Sequence, residues 1–224
     1  MKKEKVDKKP FIIILSIAII LTIITLLVEK GSVVLNESKY KNLDKIVINA
    51  EYSDVEVKFL DSEYTSVQIY GKKDDSLSVT EISNVLRINK TSTKAFCLFN
   101  CSDKVILYLP REFNTLDISL ELGDVEVNDT IIDEVYIHNA IGNIKLDKIK
   151  FCDITLDIGD IKINEIDGIK DSYIKVGTGD IEVKKTLNFN LSGKSDVGEV
   201  KLKDIKDQKY FLNVETNVGD INIK

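Results

Sequence analysis

Tryptophan is absent from this 224-residue chain, and histidine occurs once, at His138. Proline occurs twice, at Pro10 and Pro110, and so does arginine, at Arg87 and Arg111. Each scarcity removes a class of chemistry. Without tryptophan the chain lacks the broad aromatic platforms that sugars stack on, so its many carboxylates do not read as a glycosidase pair. One histidine, with no cysteine or second histidine near it in register, supports neither a zinc site nor a nucleophilic triad. Two arginines and a formal charge of −6 argue against nucleic acid, because arginine carries most bidentate phosphate and base-edge recognition. No phosphate-binding loop or activated nucleophile is present, and no cofactor is implied. Isoleucine, lysine, aspartate and asparagine dominate instead, a usage that suits a β-rich protein from an AT-rich bacterial genome.

The opening of the chain differs in kind from the rest. Residues 1–10, MKKEKVDKKP, hold five lysines against Glu4 and Asp7, and residues 11–28 run without a charge from Phe11 to Val28. A helix of that length reaches about 27 Å, close to the roughly 30 Å hydrocarbon core of a bilayer. The lysines place the first ten residues in the cytoplasm, as a basic segment, and everything after the span outside. A cleaved signal peptide fits less well, since LLVEKGS offers no small-x-small site. No cysteine follows the span for lipoprotein processing. The expectation is a single-pass bacterial cell-membrane protein anchored by residues 11–28, with an acidic extracytoplasmic part that anionic headgroups repel.

A repeat fills the second half. Gly123, Gly142, Gly159, Gly179, Gly198 and Gly219 recur at spacings of 17 to 21 residues, usually followed by aspartate. Positions +2 and +4 from each glycine are apolar in all six copies, for example Ile161 and Ile163. Position −1 is apolar in five, and −5 in five. Such alternation marks strands with one buried face. With −1 and +2 both inward, the odd step between them requires a bend, which glycine's conformational freedom allows. Each copy is then a strand, a corner and a shorter strand, and copies bury their apolar faces by stacking. Stacked in chain order, the +3 residues bring Glu126 to Lys145, Lys162 to Glu182 and Glu182 to Lys201, with Lys145 beside Lys162 the one unfavourable step.

The predicted fold is therefore all-β: a β-solenoid, an irregular parallel β-helix of about 19-residue Gly-Asp rungs, over residues 116–224. Residues 44–115 form an N-terminal β-strand cap, including one rung with Ser53 in the glycine's place, and residues 29–43 link the cap to the anchor. The early Ser53–Val57 rung, the strand VILYLPREFNTLDI (105–118) and the six glycine units together resemble the adhesin-like family of bacterial β-strand-repeat proteins, a membrane-anchored domain of unknown function. The resemblance spans about residues 44–224 and implies no catalytic residues. It also implies a place beside envelope-stress or membrane-associated regulatory proteins. One departure is the residue before the glycine, small and polar in the family but Leu122, Ile141, Ile158, Val197 and Val218 here, which suggests a drier corner.

Three constellations compete with a purely structural reading. The +1 column of Asp124, Asn143, Asp160, Asp180, Glu199 and Asp220 would stack about 4.8 Å apart and is the one candidate metal site, for calcium. The simpler reading is that aspartate and asparagine suit tight corners by bonding nearby backbone N–H groups. Cys97 and Cys101 would lie about 13 Å apart in an extended strand, so a disulfide between them needs a turn. Cys152 falls at an inward place and reads as a core thiol. Taken together, the sequence points to a non-enzymatic, membrane-anchored extracytoplasmic solenoid that binds or scaffolds an envelope protein, possible roles including envelope-stress sensing. Two alternatives are a cell-surface adhesin for envelope polymers or a host surface, and a hydrolase. The last rung stops at Lys224 with nothing to cover it, which makes the C-terminal solenoid edge the expected place for a protein partner or self-association.

Overall fold

Alternating apolar residues on both sides of each Gly-Asp pair give every rung two short strands, one before the corner and one after it. The computed structural model describes residues 33–72, 75–91, 103–205 and 207–224; the expected anchor and the Cys97–Cys101 pair lie outside them. The first seven strands are β1 (Val33–Lys41), β2 (Lys45–Tyr52), β3 (Asp54–Phe59), β4 (Tyr64–Gly71), β5 (Ser76–Ile82), β6 (Val85–Thr91) and β7 (Lys104–Leu109). The glycine rungs supply β8 (Glu112–Leu122), β9 (Val125–Ile141), β10 (Ile144–Ile158), β11 (Ile161–Asp167), β12 (Ser172–Thr178) and β13 (Ile181–Val183). They continue with β14 (Thr186–Leu187), β15 (Phe189–Val197), β16 (Val200–Leu202), β17 (Tyr210–Val218) and β18 (Ile221–Ile223). Among the described residues there is no helix.

The strands before the corners stack in parallel in the order β2, β8, the second half of β9, the second half of β10, β12, β17 and β15. Those after the corners stack as β3, the start of β9, the start of β10, β11, β13, β18 and β16. The core lies between these two ladders. In the Gly159 rung, Cys152, Ile154 and Leu156 point inward from one strand and Ile161, Ile163 and Ile166 from the other, all with no exposed surface. At about 1.5–3 kcal/mol for each fully buried large aliphatic, such a rung draws its stability from stacking on its neighbours.

The order of the last rungs departs from the chain order. β17–β18, the Gly219 rung, is inserted between the Gly179 rung and the Gly198 rung, so β15–β16 forms the end of the stack. The backbone of Lys224 is accordingly bonded to the neighbouring rung, its N–H donating to Val183 O and its carbonyl accepting from Thr186 N–H, both at 3.0 Å. The predicted open edge at the C-terminal strand is thus corrected: the outermost strands are β15 and β16. Glu182 stacks on Asn222 rather than Lys201, while Glu126–Lys145, Lys145–Lys162 and Lys162–Glu182 are neighbours as expected. The inward residues give the reason. In register, Leu212, Val214, Thr216, Ile221 and Ile223 of the Gly219 rung lie against Leu191, Gly193, Ser195, Val200 and Leu202 of the Gly198 rung. The first set is buried, whereas Leu191, Val200 and Leu202 stay partly exposed and Gly193 has no side chain. A Cβ on Gly193 would meet Val200 and Leu202 at 3.0–3.1 Å, so the missing side chain lets the last rung taper shut.

At the other end β6 and β7 continue the parallel ladders over β2 and β3, and β5, β4 and β1 add antiparallel strands outside them. Two boundaries change. Residues 33–41, expected as linker, are the strand β1, which pairs antiparallel with β4 along its length apart from a bulge at Leu35. The first glycine rung starts at Glu112, inside the stretch assigned to the cap.

Candidate binding edge along the corners

The six corner glycines form one column, with φ between 137° and 155°. Gly159 shows why no other residue fits: a Cβ there would sit 1.8 Å from the carbonyl oxygen of Gly142 in the rung below. The rungs touch backbone to backbone at this line. Ser53 takes the first place in the column, its carbonyl oxygen lying where a Cβ on Gly123 would be, at 2.0 Å.

Corner N–H groups bond from rung to rung. Gly142 N–H donates to Ile158 O at 3.1 Å and Ile144 N–H to Asp160 O at 2.9 Å, and the same pair of bonds recurs up the stack. The N–H of the +1 residue is taken by the +1 side chain of the neighbouring rung. The series runs from Asp54 through Asp124, Asn143, Asp160, Asp180 and Asp220 to the N–H of Glu199, at 2.6–3.2 Å. The candidate calcium column is therefore a ladder of carboxylates bonded to backbone donors, and Asn143 serves in it as well as aspartate does. Among the described residues no group of three or more His, Cys, Asp or Glu is gathered as a metal site. Inward at −3, Asn139, Thr216 and Ser195 donate to the carbonyls of Gly123, Gly179 and Gly219, at 2.8–3.2 Å. The sequence reading missed this second column, although three polar residues at an inward position were its signal.

The −1 residues do not face inward. Leu122, Ile141, Ile158, Val218 and Val197 are 37–64% exposed, so the expected drier corner is instead an apolar ridge in solvent. The inward positions are −3 and −5. The step from −3 to +2 is also odd, so the corner still resets the strand phase, but it begins one residue earlier than alternation alone suggests. Register places the ridge residues side by side: Leu122 with Ile141, Ile141 with Ile158, Ile158 with Thr178, Thr178 with Val218, and Val218 with Val197. On both flanks, at −2 and +1, every charged residue is acidic.

Two buried groups sit away from the ridge. Lys90 continues the inward alternation of Leu86 and Ile88, and its Nζ lies 2.6 Å from Asp103 Oδ2 and 3.2 Å from Asp75 Oδ2. Burial pushes the Asp103 carboxyl above the usual carboxylate range, with Lys90 pulling the other way and Asp75 adding to the rise. The Cys152 thiol is a free core thiol whose pKa is raised by burial and by the nearby Asp153 charge. His138 is exposed, between Ser119 and Thr155 in register.

Two stacked ladders joined at a glycine column define a β-solenoid of the toastrack kind. The chain belongs to the Toastrack DUF4097 family, whose model matches residues 43–224. Among solved structures it is similar to a candidate cell adhesion protein from Clostridium sporogenes, at 11% identity over 84% of this chain and 98% of that one, with a TM-score of 0.47. It is also similar to a candidate lipid binding protein from Parabacteroides distasonis, at 16% identity over 88% and 98%, TM-score 0.46. A candidate adhesin from Bacteroides fragilis gives 15% identity over 88% and 98%, TM-score 0.42. No curated protein matches the chain in sequence.

Proposed function

We propose that this chain is a non-catalytic binding module, held at the outer face of a bacterial membrane by residues 11–28, that presents its corner edge to a protein partner of the cell envelope. The observation that carries the reading is the ridge. Five large aliphatic side chains stand in solvent in one line although the core is complete without them. A contiguous exposed apolar strip of this sort marks an interaction surface more often than chance exposure of single residues. The uncharged run after the lysines supports the anchored topology. The solenoid gives the edge rigidity, so docking costs little ordering of this side.

The test is photocrosslinking in intact cells of the source bacterium, with a photoreactive residue in the full-length chain at position 158 or at position 162. Position 158 is expected to give a light-dependent protein adduct of discrete mass that Ile141→Ser abolishes, and position 162, on the outer sheet face, none. Equal adducts from both positions, or none from 158, would refute the reading.

A further inference from the structure

The charges beside the ridge narrow the partner's chemistry, on the assumption that the ridge is the binding edge. From Leu122 to Val197 the ridge spans five rung steps, about 24 Å at 4.8 Å each. An α-helix of about 16 residues covers that length at 1.5 Å per residue. Along its −2 side run Glu121, Asp157 and Asp196, and along its +1 side the carboxylate ladder, with no lysine or arginine in either column. Beyond the ladder, a groove of about 340 Å³ opens on the outer face of β11, β13, β18 and β16, lined by five carboxylates, Asp160 and Asp180 among them, and by two lysines, Lys162 and Lys201. At the terminal rung the flanking acids carry lysines, Asp196 with Lys194 at 2.9 Å and Glu199 with Lys201 at 2.8 Å. Among the described residues, Glu121, Asp157, Asp160 and Asp180 have no such ion pair.

We infer that the ridge receives a basic amphipathic helix of a partner protein. Its apolar stripe lies on Leu122, Ile141, Ile158 and Val218, and its lysines or arginines reach the acids on either side. Two features favour this occupant over others. An anionic lipid surface meets the acids of both flanking columns, and a second copy of this chain brings the same acids against themselves. Thr178, alone in the ridge, leaves a shallow notch between Ile158 and Val218 where a larger side chain of the helix fits.

The experiment uses the full chain in nanodiscs of zwitterionic lipid, with empty discs as the baseline and two fluorescent 16-residue helices as probes, one of leucine and lysine, one of leucine and glutamate. The leucine–lysine probe is expected to bind the wild type at least tenfold more tightly than it binds Ile141→Ser/Ile158→Ser, and to weaken severalfold as salt is raised. Glu121→Gln/Asp157→Asn, which leaves the ridge intact, is expected to lose affinity as well. The leucine–glutamate probe should not exceed the empty-disc baseline. If both probes bind the wild type equally and the ridge variant neither, the charge argument fails while the binding edge stands. If the ridge variant binds the leucine–lysine probe as the wild type does, the binding edge itself fails. All four substituted positions are exposed, and unchanged β-sheet circular dichroism checks that each variant is folded.

Discussion

A pair of cysteines placed across the corner distinguishes the inserted final rung from a stack in chain order. Thr178 is the register partner of Val218, and Val218 of Val197, so Thr178 and Val197 stand two rungs apart. At about 4.8 Å per parallel step, Cα atoms 178 and 218 fall within the roughly 4.4–6.8 Å that a disulfide accepts, and 178 and 197, at about 9.6 Å, do not. Thr178→Cys/Val218→Cys, in a chain that also carries Cys97→Ser and Cys101→Ser, is therefore expected to oxidise to one intramolecular bridge. All three tested positions are exposed, so the substitutions leave the core alone, and Cys152 is too buried to compete. The bridge closes a loop of about 40 residues, which in the chain-entropy description stabilises by about 4 kcal/mol. For a domain of this size that is a rise of about 8–16 °C in melting temperature, removed by reductant. Peptide mass mapping under non-reducing conditions reports the bond and thermal unfolding its effect. Thr178→Cys/Val197→Cys is expected to stay reduced, with a midpoint indifferent to reductant. If the second pair bridges and the first does not, the rungs stack in chain order and the inserted C-terminal rung is refuted.

Gly159→Ala places a Cβ 1.8 Å from Gly142 O at a φ of 137°, and should cost more than about 2 kcal/mol, as backbone strain of 1–3 kcal/mol adds to the separation of two rungs. Lys162→Val on the outer face should shift the urea midpoint little, and equal midpoints would show that the glycine column is not where the rungs meet. Calcium at millimolar concentration should leave the melting temperature unchanged, since the +1 carboxylates already accept backbone N–H bonds; a rise of several degrees abolished by Asp160→Asn would overturn that account. Asp103, with its carboxyl pKa raised by burial, keeps its proton in the folded state at pH values where the unfolded chain has lost it. Its contribution to stability is full below the unfolded carboxylate pKa and is lost as pH rises through the folded one. Wild type should therefore gain on Asp103→Asn as pH falls from about 7 to 4, measured by urea unfolding, and a constant gap between the two would contradict the raised pKa.

What the sequence by itself determined is local. Alternation around each glycine specifies two strands per rung, and the glycine specifies the corner, because period-two patterning and a missing Cβ act within a few residues and need no distant partner. The all-β solenoid and its stack up to Gly179 follow from those rules. The family relation was legible too, since its motifs are made of these same rung residues. The tertiary structure decided three further things. It put Leu122, Ile141 and Ile158 in solvent, because the corner turns the chain before Gly is reached and so overrides the parity of the strand. It turned the aspartate column into a chain of N–H acceptors, since only the neighbouring rung supplies the donors. And it set Gly219 beneath Gly198. Every rung edge offers the same N–H and C=O pattern, so hydrogen bonding does not distinguish one order from another. The choice falls to burial, which puts Leu212, Val214, Ile221 and Ile223 in mid-stack and leaves at the end the rung in which Gly193 stands opposite Val214 and Leu191, Val200 and Leu202 stay partly exposed, where a thinner core loses least.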